Sequence, residues 1–89
     1  MTRNTAEMPN PPDHLLYLER CDPALNMARF YTVTVNATLF PGEWVLVRRW
    51  GRIGTSGMIK EQWFPSRGDA LTEQARIASR KAGRGYRRL

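Results

Sequence analysis

Side chains that could bind a polyanion are concentrated in one stretch near the middle of this 89-residue chain. Arg48, Arg49 and Arg52 surround Trp50. A guanidinium donates forked hydrogen bonds to phosphate oxygens, and an indole can lie flat on a sugar or an unpaired base. Backbone N–H groups of the glycine-rich turn that follows could add anion contacts. These residue types indicate nucleic-acid binding. A tryptophan at a strand end is more often a core residue than a contact residue, but the arginines and glycine next to Trp50 favour contact, so both interpretations stay open.

The positive charge lies in the second half of the chain. The formal net charge is +6. Residues 1–45 hold three basic and five acidic side chains, whereas residues 46–89 hold eleven basic and three acidic ones. A one-sided positive field attracts polyanions, because phosphate contacts release counterions in proportion to the charge they neutralise. The alternative is that this charge serves solubility alone.

A second basic cluster surrounds Tyr86. It consists of Arg80, Lys81, Arg84, Arg87 and Arg88. Cations at the end of a helix complement its dipole, so a solvated helix end explains the cluster as well as a second track of phosphate contacts does. The predicted nucleic-acid-binding residues are Arg48, Arg49, Trp50, Gly51, Arg52, Lys81, Arg84 and Tyr86.

Residues 14–21 could equally form a short helix, but the brevity of the segment and the breaker at Asp22-Pro23 favour a strand. Period-two alternation predicts further strands over residues 29–36, 44–50 and 58–64, and the four are connected as an antiparallel meander. In the third of these, Trp44, Leu46, Arg48 and Trp50 face one way, and Val45, Val47 and Arg49 face the other. In the fourth, Ile59 and Trp63 lie opposite Lys60 and Gln62. Trp44 and Trp63 lack arginine neighbours of the kind that surround Trp50, and we expect both of them in the core.

A helix is predicted after Pro65, with Ser66 as N-cap and Asp69 three positions on. Gly83 and Gly85 end it, and a short edge strand could follow. The apolar stripe that should face the sheet is Leu71, Ala75, Ala78 and Ala82, with Ile77 at its edge. The predicted fold class is α+β: a curved antiparallel sheet of about four to five strands with one helix packed against it.

The chain length predicts one domain over residues 13–89, preceded by a disordered tail over residues 1–12, where three prolines occur among few apolar residues. The lone Cys21 cannot form an internal disulfide and is expected to be packed, which favours a reducing, cytoplasmic location. No apolar run approaches the roughly 20 residues that span a bilayer. We expect a monomer with no membrane partner.

The sequence offers little support for catalysis. His14 and Cys21 are the only His and Cys, too few for a zinc site without carboxylates or a partner's ligands. No carboxylate pair suggests a general acid and base, and the glycines at 51, 54 and 57 match neither a phosphate-binding loop nor a dinucleotide fingerprint. We therefore expect a non-catalytic protein without a cofactor or metal.

Several blocks of this chain, in order, resemble the WGR domain. Trp50-Gly51-Arg52 followed by Ile53-Gly54-Thr55-x-Gly57 is similar to the signature that names the family. Further similar blocks are Asn26-x-x-Arg29-Phe30-Tyr31, Leu39-Phe40 before Trp44, Phe64-x-Ser66 with Ala70, and Lys81-x-x-Arg84-Gly85-Tyr86. One departure is Pro41, which adds a residue to the family's Leu-Phe-Gly-x-Trp pattern.

The resemblance implies a partner. In eukaryotic poly(ADP-ribose) polymerases the WGR domain helps bind broken DNA ends: the motif tryptophan contacts the sugar of the terminal nucleotide, and the motif arginine links DNA to neighbouring domains. The corresponding residues here are Trp50 and Arg52. We expect sequence-indifferent binding to nucleic acid, DNA more than RNA, at ends, nicks or single-strand junctions. The alternative is a protein-interaction module that grips an acidic partner with the same Trp and Arg surface.

Overall fold

The computed structural model describes residues 14–89, so the tail predicted over residues 1–12 lies outside the described residues. Five strands form one antiparallel sheet in the spatial order β4-β3-β2-β1-β5. They are β1 (His14–Asp22), β2 (Met27–Ala37), β3 (Trp44–Arg52), β4 (Met58–Phe64) and β5 (Arg87–Arg88), with helix α1 (Arg67–Ala82) between β4 and β5. The sheet is not closed, and α1 packs against one of its faces. The predicted α+β class is confirmed.

Tight turns connect the first three strands. A 3-10 turn (Pro23–Leu25) leads to Asn26, whose φ of 51° is left-handed, a conformation that Asn tolerates. Between β2 and β3, the N–H of Glu43 donates to the carbonyl of Phe40 at 3.1 Å, and Gly42 has φ 78°. Proline followed by a glycine at this φ is the pattern of a type II turn, so Pro41 is accommodated without disturbing β3.

The core lies between α1 and one face of the sheet. Its buried members are Leu16, Leu18, Tyr31, Val33, Val35, Leu46, Ala70 and Ile77. The strand residues among them alternate along β1, β2 and β3, as residues on one face of a pleated sheet must. The predicted facing of the strands is confirmed, and Trp44 packs against this core as expected.

Helix α1 begins where the sequence predicts, but it buries a different stripe. The Ser66 hydroxyl accepts the Asp69 N–H at 3.0 Å. The buried residues of α1 are Ala70, Gln74 and Ile77, with Leu71 and Ala78 partly buried, whereas Ala75 and Ala82 are exposed. The predicted stripe was wrong at these two alanines, because Gln74 takes a core position by donating its amide to the Val33 and His14 carbonyls at 2.9 and 3.3 Å.

Two further predictions about burial are wrong for one reason. Trp63, expected in the core, is 53% exposed, and Cys21, expected to be packed, is an exposed free thiol. Trp63 follows Gln62 and Cys21 follows Arg20, and both Gln62 and Arg20 lie on the face that α1 covers. Trp63 and Cys21 therefore both point to the other face. We call that side of the sheet, which no helix among residues 14–89 covers, the open face.

Candidate nucleic-acid interface

Trp50 lies near the end of β3 on the face that α1 covers, and it is half-buried. Its neighbour across the sheet is Tyr31, and the two rings stack with centroids 5.8 Å apart and planes 19° from parallel. Tyr86 packs edge-on against Tyr31, with a centroid distance of 6.2 Å. The indole is therefore neither sealed in the core nor fully exposed: Tyr31 supports it while part of it reaches solvent.

Lys81, in the last turn of α1, completes this aromatic cluster. Its Nζ lies 4.5 Å from the centroid of Tyr31 and 5.4 Å from that of Tyr86, within the range of cation–π attraction. Burial lowers the pKa of this ammonium from its ordinary value, and four guanidiniums lower it further, those of Arg84, Arg80, Arg48 and Arg29. An ammonium with a lowered pKa among guanidiniums marks a site of concentrated positive potential.

Three arginines lie side by side on neighbouring strands next to this cluster. Arg20 on β1 pairs in register with Arg29 on β2, which pairs with Arg52 on β3. Directly opposite residues of antiparallel strands point to the same side, so this arginine row shares the face of Trp50 and Tyr31, which lie two residues further along their strands. Like charges opposite one another destabilise a sheet, and no carboxylate among residues 14–89 forms an ion pair with these three.

Arg52 and Arg48 also have structural contacts. Arg52 donates to the backbone oxygen of Asn26 at 3.2 Å and to its Oδ1 at 3.4 Å. These bonds hold the end of β3 against the turn that connects β1 and β2. Arg48 donates to Gln62 Oε1 at 3.2 Å, and its buried Nε has no partner in the described part of the chain. Both arginines are thus held on the face of Trp50.

Arg49 and the glycines play different parts from those expected of them. Arg49 lies on the open face, with its guanidinium carbon 5.8 Å from the centroid of Phe30, so the sheet separates it from Trp50.

A Cβ on Gly57 would lie 2.9 Å from Phe30 Cζ and would clash with the carbonyl oxygen of Trp50. Gly51 and Gly57 are themselves in contact, since a Cβ on Gly51 would lie 2.9 Å from the Gly57 Cα. The space left by the missing Cβ atoms of these glycines is therefore filled by other atoms of the protein and not left open for a ligand.

Sequence reasoning missed Arg20, Arg29 and Tyr31 as members of this site. They belong to strands separated from Trp50 by a turn or more, and only the register between strands places them beside it. Alternation along β2 places Tyr31 on the other face of the sheet from Phe30 and Thr32. We call the arginine row together with Arg48, Lys81 and Arg84 the cationic end.

The family of this chain follows from comparison with known protein families. A family model described as "WGR domain" matches residues 14–89. The chain belongs to the WGR family. A similar protein from Sinorhizobium fredii (strain NBRC 101917 / NGR234), "Uncharacterized protein y4dW", is 43% identical over 72 residues. The match covers 81% of this chain and 35% of that protein, so this WGR chain spans about a third of its relative.

The WGR residues described here contain neither a membrane-spanning helix nor a metal-ligand cluster. No helix within 14–89 has the length and apolar character needed to cross a bilayer. Within the same range, no three side chains of the His, Cys, Asp and Glu types converge as ligands for a metal ion. Within residues 14–89, the positive charge of the arginine row beside Trp50 has no carboxylate ion-pair partner.

Proposed function

We propose that this WGR domain is a non-catalytic nucleic-acid-binding module that holds DNA, in preference to RNA, at ends, nicks or single-strand junctions without reading sequence. The observation that carries the proposal is the arginine row beside the half-buried Trp50. Three like-charged side chains in register cost folding free energy, and phosphate groups bound between them would remove that cost. Backbone contacts and stacking contain no base code, which is why we expect no sequence preference.

Tyr31 gives Trp50 a fixed orientation, which supports a stacking role. A ring whose position is already ordered by a neighbour loses little conformational freedom when a ligand lies on it. The family resemblance assigns the same tryptophan to the sugar of a terminal nucleotide. Arg48 and Arg52 lie two residues to either side of Trp50 on the same face. The Nζ of Lys81 lies 4.5 Å from the centroid of the Tyr31 ring that stacks on Trp50, so these cations are placed to receive phosphates that flank a stacked group.

The decisive experiment is a binding titration with blunt, nicked, single-stranded and circular DNA at two salt concentrations. If the row, Arg48 and Lys81 each neutralise one phosphate of a duplex, log Kd against log salt should have a slope of magnitude about 4.5. Binding to circular duplex that equals binding to blunt and nicked DNA would refute end recognition. Weak binding to all four, without salt dependence, would refute nucleic-acid binding and favour the acidic protein partner.

Trp50→Ala tests the stacking role directly. Loss of one stacked group costs about 1–3 kcal/mol, so affinity for a 5′-phosphorylated end should fall roughly tenfold, with a much smaller loss on circular duplex. Trp63→Ala is the matched control, because that indole lies on the open face, and it should leave DNA affinity unchanged. Equal losses from the two variants would contradict the assignment. Trp50→Phe, which keeps a flat ring, should retain part of the affinity, and the melting temperature of each variant monitors folding.

A further inference from the structure

The open face exposes large apolar side chains although it is the broad side of a five-stranded sheet. Leu15 on β1, Ile59 on β4 and Trp63 on β4 are 59%, 62% and 53% exposed. Val47 on β3 lies between β1 and β4 on the same face and is only partly buried. Contiguous exposed apolar surface on a soluble domain usually marks an interaction site. Nucleic acid does not explain it, because the cationic end lies on the opposite face.

The shape of this face suits another sheet. A shallow concavity of about 390 Å³ has its floor on β2 and β3 and is bordered by Leu15 and Tyr17 on one side and Ile59 on the other. Two sheets that pack face to face lie about 10 Å apart and interdigitate side chains of this kind. The polar groups in the floor are the hydroxyls of Thr32 and Thr34 and the guanidinium of Arg49. The Thr32 hydroxyl already donates to the Arg49 carbonyl at 3.4 Å.

The charge on the open face selects the occupant. Arg49, Arg87, Glu19 and Glu61 share this face through the strand register, so the strand residues described on it sum to a formal charge of zero, on a chain with net charge +6. Two copies of a basic chain repel one another, and contact through a face of balanced charge adds the least to that repulsion. Glu19 accepts the Tyr17 hydroxyl at 2.8 Å, whereas Arg49 and Glu61 have no ion-pair partner among residues 14–89. A two-fold interface that puts Arg49 against Glu61 repeats that contact by symmetry.

We propose that the open face is a homodimer interface, in which the sheets of two copies pack face to face around the concavity, with Arg49 of one copy against Glu61 of the other. The dimer replaces the monomer expected from the sequence. It leaves the cationic end on the outer side of each copy, so the assembly would present two such surfaces. The proposal is independent of what those surfaces bind.

Adjacent residues on β4 provide a matched pair for the test. Ile59 and Met58 are 62% and 64% exposed and point to opposite faces. The molar mass of the full chain, of Ile59→Glu and of Met58→Glu is measured by sedimentation velocity from micromolar to millimolar concentration. We expect the wild type and Met58→Glu to share one monomer–dimer equilibrium, and Ile59→Glu to weaken dimerisation at least about tenfold.

A wild-type chain that stays monomeric throughout this range would overturn the proposal. This outcome would also be expected if the open face binds a different protein. A dimer that Ile59→Glu leaves intact, or that both variants weaken equally, would also overturn it. If circular dichroism shows that Ile59→Glu does not fold, a charge exchange replaces it. Arg49→Glu and Glu61→Arg should each weaken the dimer, and the double variant should restore it; a double variant no better than the singles contradicts the pairing.

Discussion

The two faces of this sheet differ in how charged side chains are paired across strands, and two consecutive residues of β1 show the difference. On the open face, Glu19 lies opposite Arg87, so unlike charges are in register. On the other face, the next residue, Arg20, lies opposite Arg29, and Arg29 lies opposite Arg52. The first arrangement stabilises a sheet and the second destabilises it. In the function proposed above, phosphate groups bound to the arginine row would offset the repulsion on that face.

The largest effect we expect concerns Gly57, in the turn between β3 and β4. Gly57→Ala places a Cβ against the Trp50 carbonyl and Phe30 at a φ of +78°, and should cost about 3 kcal/mol, lowering Tm by more than 10 °C. Gly42→Ala is the matched control, since Gly42 has the same φ with open space around it, and should cost about 1–2 kcal/mol. Thermal unfolding of both variants decides the matter, and equal losses would mean that backbone strain alone limits substitution at Gly57.

An intermediate effect should separate the two kinds of cross-strand pair. Arg29→Gln removes a like-charge neighbour, so it should raise the unfolding free energy by up to about 1 kcal/mol while lowering DNA affinity and reducing the salt slope by about 1. Arg87→Gln, an exposed strand arginine opposite Glu19, should slightly lower stability and leave the slope unchanged. Denaturant unfolding and salt titrations measure both quantities. Stability changes of the same sign would remove the contrast between the faces.

The smallest expected effect is a pH dependence from Lys81. Its folded pKa lies below the ordinary 10.5 because burial and neighbouring guanidiniums disfavour the charged form. Its contribution to stability is therefore lower when it is protonated in both states, and rises as pH increases from the folded pKa towards 10.5. A bound phosphate should raise the Lys81 pKa, so DNA affinity should fall as pH passes upward through the free-protein value. NMR titration of the Lys81 side chain with and without short duplex measures the shift, and an unchanged pKa at saturation would place Lys81 outside the site.

Local patterns predicted the elements and their faces well, because alternation and capping act between residues close in sequence. The strand over residues 58–64 and the Ser66 cap agree with the structure. Gln74 was missed as a core residue because its burial depends on the Val33 carbonyl, 41 positions away. Trp63 was misplaced because alternation assigns a residue to a face without saying which face the helix will cover.

The candidate site was only half predictable. Trp50 and its neighbours in sequence attracted attention as a motif, but Arg20 and Arg29 became members only through strand register. The reverse happened with Arg49, which is adjacent to Trp50 in sequence and separated from it by the thickness of the sheet. In a strand, consecutive positions point to opposite sides, so a linear motif overstates what its members can do together.

The stack between Trp50 and Tyr31 limits how this tryptophan can meet any flat ligand. An intercalating side chain must offer both sides of its ring or wedge to the two base pairs it separates. Here the Tyr31 ring already occupies one side of the Trp50 indole. The indole can therefore stack on only one base or sugar of a ligand. Continuous stacked duplex has no such solitary plane, whereas its terminus, or the step at a strand interruption, has one.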